Sequence, residues 1–272
     1  MPKIKLIALD LDGTLLNSQK EIAERNKKAL AAARDRGVKV VLTTGRPLKA
    51  MDFLLHELGL ADQPDEYALT FNGGLIQRNN GEVLDQAVLT YGQVHDFYDL
   101  TESLGIPLDA IHGGTVYQIQ SDYESRYALV NPALEFEPVD FADLSSQYAY
   151  NKCVSCYEPE ILDQAFLKIP EEMKERFGIF KSRAEILEFC PKDADKAKGL
   201  EKLIAILGLD REEVMTLGDE DNDYSMIAWA GLGVAMGNAS ERVKSVAKVV
   251  APMTNDEDAV AWAIEKYVLA EE

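Results

Sequence analysis

The order of apolar runs predicts an α/β fold built on a parallel sheet and interrupted by an inserted α+β segment. Three observations carry this reading. Residues 4–9 and 38–43 are short, continuously apolar runs, the texture of strands buried on both faces, with a helix-period segment between them. From about Asp85 to Pro191 the pattern changes to strands joined by short turns and mixed with helices. Strand and helix then alternate again to the end of the chain.

The first strand, 4–9, runs into Asp10-Leu11-Asp12-Gly13-Thr14-Leu15. Ser18 and Glu21 read as a capping box for a helix carrying Ile22, Leu30 and the alanines of 29–33, which Gly37 ends. A second strand, 38–43, follows at once. Thr44-Gly45-Arg46-Pro47 opens another helix, with Pro47 at the first-turn position where its missing N–H costs nothing. Residues 67–71 form a strand, and 75–77 pairs with 83–84 in a hairpin about Asn79-Asn80-Gly81.

Within 85–191 helices are expected at 93–104 and 159–169, with strands at 106–110, 115–119, 153–157, 178–182 and 185–189. Beyond it, 198–207 and 222–230 are helical, 214–217 and 232–236 are strands, and 256–267 is a closing helix. The domain expectation is a discontinuous core, 1–84 with 192–272, and an inserted domain, 85–191.

At 272 residues, 47 % apolar and 28 % charged, the chain can bury a substantial core. Its 47 acidic and 28 basic residues leave a net charge of −19, so the electrostatics that drive nucleic-acid binding act against this surface. A small phosphorylated metabolite is compatible with it, because local cations dominate over distant charge at physiological screening. No run approaches the ~18 apolar residues of a membrane span, and the apolar stretch after Lys3 and Lys5 is too short for a signal peptide. A cytoplasmic monomer or homodimer is expected. Cys153, Cys156 and Cys190 are an odd number, which argues against a disulfide framework. Cys153 and Cys156 lie three apart on a strand and face opposite sides, a poor arrangement for a metal or redox pair.

The chemistry gathers at strand ends, where open α/β sheets bind their ligands. Asp10 and Asp12 follow the first strand, and Gly13 bends the chain so that both side chains can converge on one pocket. With each residue type at roughly 5–7 % usage, Asp-x-Asp-Gly-Thr arises by chance at about 10⁻⁵ per window. Thr44-Gly45-Arg46, after the second strand, offers a hydroxyl and helix-start N–H groups for phosphate oxygens, or a plain helix cap. Lys196 opens a helix, with Lys198 as a nearby rival. Gly218-Asp219-Glu220-Asp221-Asn222-Asp223 crowds four carboxylates into five residues, which calls for a cation or a helix N-terminus to offset their repulsion. Two sets of hard oxygen ligands suit Mg²⁺. Gly231-Leu232-Gly233 follows a helix and lacks the context of a dinucleotide loop.

Asp10-x-Asp12-Gly13-Thr14, Thr44-Gly45-Arg46, Lys196 and Gly218-Asp219-x-x-Asn222-Asp223, in this order, resemble the four motifs of the haloacid dehalogenase superfamily, and in particular its Cof-type phosphatases. The third motif departs from the common Asn-Lys-Gly-x-Gly, reading Asp195-Lys196-Ala197-Lys198-Gly199. Only 31 residues separate Asp12 from Thr44, whereas 149 separate Arg46 from Lys196. The insertion therefore resembles the large α/β cap found between the second and third motifs.

The resemblance implies a Rossmann-like core and Mg²⁺-dependent hydrolysis of small phosphate monoesters, sugar phosphates foremost, through an aspartyl-phosphate. It makes Asp10 the nucleophile and Asp12 the acid and base. Metal would be held by Asp10, the Asp12 carbonyl and Asp219, with Asp223 orienting the cluster or adding a ligand. Leu11, Thr44, Gly45, Arg46, Lys196 and Asn222 would bind the phosphoryl group, Phe71-Asn72-Gly73-Gly74 would edge the site, and the cap would close over it and contact the substrate's organic part. Nucleotide, flavin or pyridoxal phosphates are alternative substrates. A phosphomutase, or a phosphate-sensing module like a receiver domain, is the rival activity; the insertion and Asp12 count against the receiver.

Overall fold

The computed structural model describes residues 3–270. Its strands, in chain order, are β1 (Leu6–Leu9), β2 (Lys39–Thr43), β3 (Tyr67–Thr70), β4 (Leu75–Arg78), β5 (Val83–Gln86), β6 (Asp109–His112), β7 (Thr115–Ile119), β8 (Glu135–Val139), β9 (Lys152–Cys156), β10 (Phe177–Arg183), β11 (Ile186–Pro191), β12 (Val214–Gly218), β13 (Leu232–Ala235) and β14 (Val249–Val250). They form an eight-stranded sheet ordered β14-β13-β12-β1-β2-β3-β4-β5 and a six-stranded sheet ordered β10-β11-β9-β6-β7-β8. The fold is α/β, with a parallel-sheet core and a second, α+β unit.

In the larger sheet every pair from β14 to β3 is parallel, and β3 turns back antiparallel into β4. Both faces are covered, so β1 is buried at all four positions and β12 at all five. That is why these strands read as unbroken apolar runs rather than alternating ones. β1 sits centrally, paired with β12 on one side and β2 on the other. The residues just past its end therefore lie among the loops after β2 and β12, the crevice where such sheets bind ligands.

The second sheet is antiparallel except for the β7–β8 pair. One of its faces packs Ala110, Cys153, Leu187 and Phe189 against Val94 and Phe97 of the helix Tyr91–Leu104 and Leu162 and Ala165 of the helix Pro159–Lys168. Thr90 caps the first of these helices in a full capping box with Gln93. The three cysteines are free and buried.

The chain divides into a unit made of residues up to Arg46, Met51–Asp85 and Asp195 onward, and a unit of Pro47–Ala50 with Gln86–Ala194. The turn Pro47–Ala50 groups with the second unit, where Lys49 forms an ion pair with Glu135.

Three local expectations need correction. Ser18 and Glu21 make no capping box: the Ser18 N–H and Oγ donate to Asp256, at 2.7 and 2.6 Å, and the helix begins later, at Glu24, behind an uncapped Ala23. Pro47 precedes a 3-10 turn, Leu48–Met51, and the α-helix proper is Asp52–Glu57. The closing helix is broken into the 3-10 turn Asn255–Glu257, the α-helix Ala259–Ile264 and a π-helical turn, Glu265–Leu269, with Asp258 in left-handed backbone at the break. No helix among the described residues is long and apolar enough to cross a membrane.

Candidate active site

Asp10 follows β1 directly and extends its pairing, its N–H donating to the Leu217 carbonyl at 3.1 Å. Thr44 likewise extends β2 by donating to the Leu69 carbonyl at 2.9 Å. Asp219 follows β12, and Lys196 is the first residue of the helix Lys196–Leu207, whose N-cap Asp195 accepts from the Lys198 N–H. Parallel pairing thus delivers three separated sequence motifs to one edge of the core, and Lys196 joins them from the first turn of its helix.

At the centre is Lys196, fully buried, with Nζ 2.6 Å from Asp10 Oδ1, 2.6 Å from Asp223 Oδ1 and 3.1 Å from the Thr43 carbonyl. A buried ammonium is tolerated only when its donors are satisfied. Here two carboxylates and a carbonyl do so. Lys196, not Lys198, is the lysine that reaches this cluster. Burial alone would lower its pKa, but the charges of Asp10 and Asp223 outweigh that and raise it.

Asp223 is also fully buried, and its other oxygen, Oδ2, accepts the N–H groups of Asp219 and Glu220 at 2.9 and 3.2 Å. Both of its oxygens are engaged, so Asp223 fixes Lys196 on one side and the Asp219 turn on the other. Asp219 Oδ1 accepts the Thr14 hydroxyl at 2.7 Å. Gly13 lies beneath it with φ +83°, and a Cβ there would stand 2.2 Å from Asp219 Oδ2, so this turn needs glycine for backbone and space alike.

Carboxylate oxygens of Asp10, Asp219 and Asp223 lie within 4.8 Å of one another, all buried. Burial pushes Asp10 up to about 7, against the lowering pull of Lys196, and pushes Asp219 up to about 7 against its bond from Thr14. Such a set fits a divalent cation: hard oxygens, negative charge in excess of Lys196, and a second oxygen on both Asp10 and Asp219 beyond the one each gives to Lys196 or Thr14.

Asp12 is not one of the three clustered carboxylates, although the bend at Gly13 led us to expect its side chain and that of Asp10 to converge on one pocket. Its carboxylate lies with Arg46, whose Nη2 is 2.6 Å from each oxygen and whose Nε is 3.1 Å from Oδ2, and with Lys20, whose Nζ is 2.8 Å from Oδ1. In the turn that follows, the Leu16 N–H donates to the Leu11 carbonyl at 2.8 Å. Burial acts to raise the Asp12 carboxyl, but the Lys20 and Arg46 contacts outweigh it and hold the group below the usual carboxylate range. Two carboxylates one residue apart thus experience opposite environments.

Among the other expected residues, Leu11 has a fully buried side chain. Thr44 Oγ1 accepts the Arg46 N–H at 3.2 Å, closing a tight turn. A Cβ at Gly45 would stand 3.2 Å from Asn72 Oδ1, so the glycine leaves room for that amide. Asn222 Nδ2 donates to Asn72 Oδ1 at 3.3 Å, which ties the fourth motif to the loop after β3. Asn72 holds left-handed backbone, φ +56°. The roles of Lys20, Thr14 and Asn238 were not read from the sequence; Asn238 Nδ2 donates to the Gly13 carbonyl at 2.8 Å from 225 residues away. Thr14 alone had a signal, its place inside the first motif.

The sequence profile of the haloacid dehalogenase-like hydrolases matches residues 7–264. The chain belongs to that family. It is an enzyme of the phosphoric monoester hydrolase class. YxeH of Bacillus subtilis is 36 % identical over 98 % of this chain and 99 % of its own. The 5-amino-6-(5-phospho-D-ribitylamino)uracil phosphatase YcsE of the same organism is 33 % identical over 98 % of this chain and 96 % of its own. A haloacid dehalogenase-like hydrolase from Bacteroides thetaiotaomicron superposes with a TM-score of 0.85 at 34 % identity, covering 97 % of this chain and 99 % of that one. The subclass IIB sugar phosphatase BT4131 superposes at 0.78 with 26 % identity, covering 96 % and 98 %. Phosphatases of this family generally use a divalent metal, in keeping with the buried carboxylates.

Proposed function

We propose that this haloacid dehalogenase-family phosphatase hydrolyses small phosphorylated metabolites, sugar phosphates foremost, with Mg²⁺, and that Asp10 carries the phosphoryl group between two displacements. The observation that carries the reading is the contrast between Asp10, buried against Lys196, and Asp12, held apart by Arg46 and Lys20. One carboxylate is a nucleophile kept dry and neutralised. The other is a partly exposed carboxylate outside that cluster.

Asp10 attacks phosphorus and the P–O bond to the organic alcohol breaks; Asp12, relieved of Arg46 as that guanidinium turns to the phosphoryl oxygens and so able to carry a proton, gives it to the leaving oxygen. Asp12, now a base, takes a proton from water, which attacks phosphorus, breaks the bond to Asp10 and releases phosphate. Lys196 keeps Asp10 aimed and offsets its charge as the phosphoryl group approaches. Asp10, the Asp12 carbonyl and Asp219 would hold Mg²⁺, which supplies charge neutralisation between the anionic nucleophile and the anionic phosphate. Thr44, the Gly45 N–H, Leu11, Arg46 and Asn222 form the proposed cradle for the phosphoryl oxygens. The inserted unit sets which ester is accepted. In solution the protein acts in the cytoplasm as a monomer or homodimer.

The name of YcsE favours a second reading for the substrate, a phosphorylated flavin precursor. Both readings are tested together by incubating the purified protein and Mg²⁺ with a panel of sugar, nucleotide, flavin-precursor and pyridoxal phosphates. Released phosphate identifies the class, an isomerised ester in its place would indicate a mutase, and turnover untouched by EDTA would remove the metal from the reading.

A further inference from the structure

The two oxygens of Asp12 are held unequally. Among the described residues, Oδ2 accepts only from Arg46, from Nη2 at 2.6 Å and Nε at 3.1 Å. Oδ1 accepts from Arg46 Nη2 at 2.6 Å and also from Lys20 Nζ at 2.8 Å. When Arg46 turns to the phosphoryl oxygens, Oδ2 is therefore released while Oδ1 keeps a partner.

Lys20 is delivered by a short hairpin that doubles back over the first motif. Leu16 and Ile22, both buried, pair antiparallel at its base, and the Asn17 N–H donates to the Glu21 carbonyl at 3.0 Å. Asn17 Oδ1 accepts the N–H groups of Gln19 and Glu21 at 3.0 and 2.9 Å, and the Lys20 N–H donates to the Asn17 carbonyl at 2.9 Å. Lys20 itself sits in the turn at φ +63°, a backbone that glycine or asparagine holds with less strain. The turn thus carries a lysine where the backbone alone favours a smaller residue, and the ammonium of that lysine goes to Asp12. Stability is a poor reason for the pair, since its side chains are 62 % and 36 % exposed and exposed ion pairs add little.

We propose that Lys20 is a positioning residue for the reaction, anchoring Asp12 Oδ1 so that Oδ2 is the oxygen that exchanges protons with ester and water. This rests on the phosphatase reading above. In the first displacement the proton on Oδ2 passes to the ester oxygen as the bond of that oxygen to phosphorus breaks. In the second, Oδ2 takes a proton from water as the water oxygen bonds to phosphorus and the bond to Asp10 breaks. Without Lys20 the released carboxyl has no partner to fix its rotation, and the proton donor loses its aim.

The test compares kcat/KM with Mg²⁺ for phenyl phosphate and p-nitrophenyl phosphate, esters of nearly the same shape, in the wild type, Lys20→Met and Lys20→Gly. Phenolate leaves poorly without a proton, whereas p-nitrophenolate leaves readily. The phenyl-to-nitrophenyl ratio therefore falls about fivefold or more in both variants. Methionine keeps the strained backbone and glycine relieves it, so the two variants share only the loss of the ammonium. A purely structural role for Lys20 would lower both esters alike. A ratio unchanged in either variant overturns this proposal alone. No phosphate released from either ester by the wild type overturns the phosphatase reading with it.

Discussion

Arg46 grips both carboxylate oxygens of Asp12 with one nitrogen, Nη2, at 2.6 Å from each. This contact is made across 34 residues, and Asp12 stands outside the group formed by Asp10, Asp219 and Asp223. In Arg46→Ala the carboxyl loses its main cationic partner apart from Lys20, so its pKa rises from its depressed position. The limb of the kcat/KM profile that belongs to Asp12 should move to higher pH, and kcat should fall about 10- to 100-fold as the group loses its aim. A pH–rate profile with an unmoved limb would show that Asp12 is not the titrating acid.

Lys196→Met removes the cation bonded to both Asp10 and Asp223 and leaves two buried carboxylates uncompensated. Breaking a buried pair from one side costs about 3–5 kcal/mol. Urea unfolding should report a loss of that size. A loss below ~1 kcal/mol would mean that water already reaches the cluster.

Gly13→Ala should damage metal binding more than stability. Left-handed backbone costs an alanine about 1–2 kcal/mol, and the new methyl would press on Asp219 Oδ2. Gly37, with φ +80° and nothing within 4 Å of the place a methyl would take, supplies the control. Gly37→Ala should lose similar stability with Mg²⁺ affinity unchanged, as read by calorimetric titration; equal affinities in both variants would detach Asp219 from the metal.

Metal and pH are linked through the same carboxylates. Burial raises Asp10 and Asp219 to about 7, above their unfolded values of about 4. The metal-free folded state therefore binds more protons than the unfolded chain between those limits, and its stability falls as pH rises from about 4 through 7. A cation binds the ionised carboxylates and offsets this, so the melting-temperature gain from Mg²⁺ should be larger at about pH 8 than at about pH 5.5. A gain independent of pH would contradict Asp10 and Asp219 as ligands.

What could be read in advance follows from range. β1, β2, β12 and β13 are buried on both faces, and their unbroken apolar runs announce them. β8 escapes such a reading because its faces are largely exposed and Pro138 interrupts it, leaving no period-two signal. β14, two residues long, has no pattern to read. In the site, Asp10, Thr44 and Asp219 come to one sheet edge because parallel pairing fixes where strand ends lie, whereas Lys196 arrives on a helix start and was legible only from motif order. Which cation faces which carboxylate depends on turns. Lys20 reaches Asp12 from left-handed backbone, φ +63°, in a turn held by the Asn17 side chain, and no composition or spacing rule foretells that.

The central claim, covalent catalysis by Asp10, is tested by acid-quenching the enzyme during turnover of a good substrate, reducing with borohydride and sequencing the peptides by mass spectrometry. Reduction of an aspartyl-phosphate leaves homoserine in place of the aspartate. The account predicts homoserine at position 10 in the wild type and none there in Asp10→Asn, which should also release no phosphate. Continued phosphate release by Asp10→Asn, or homoserine at another position, would contradict it.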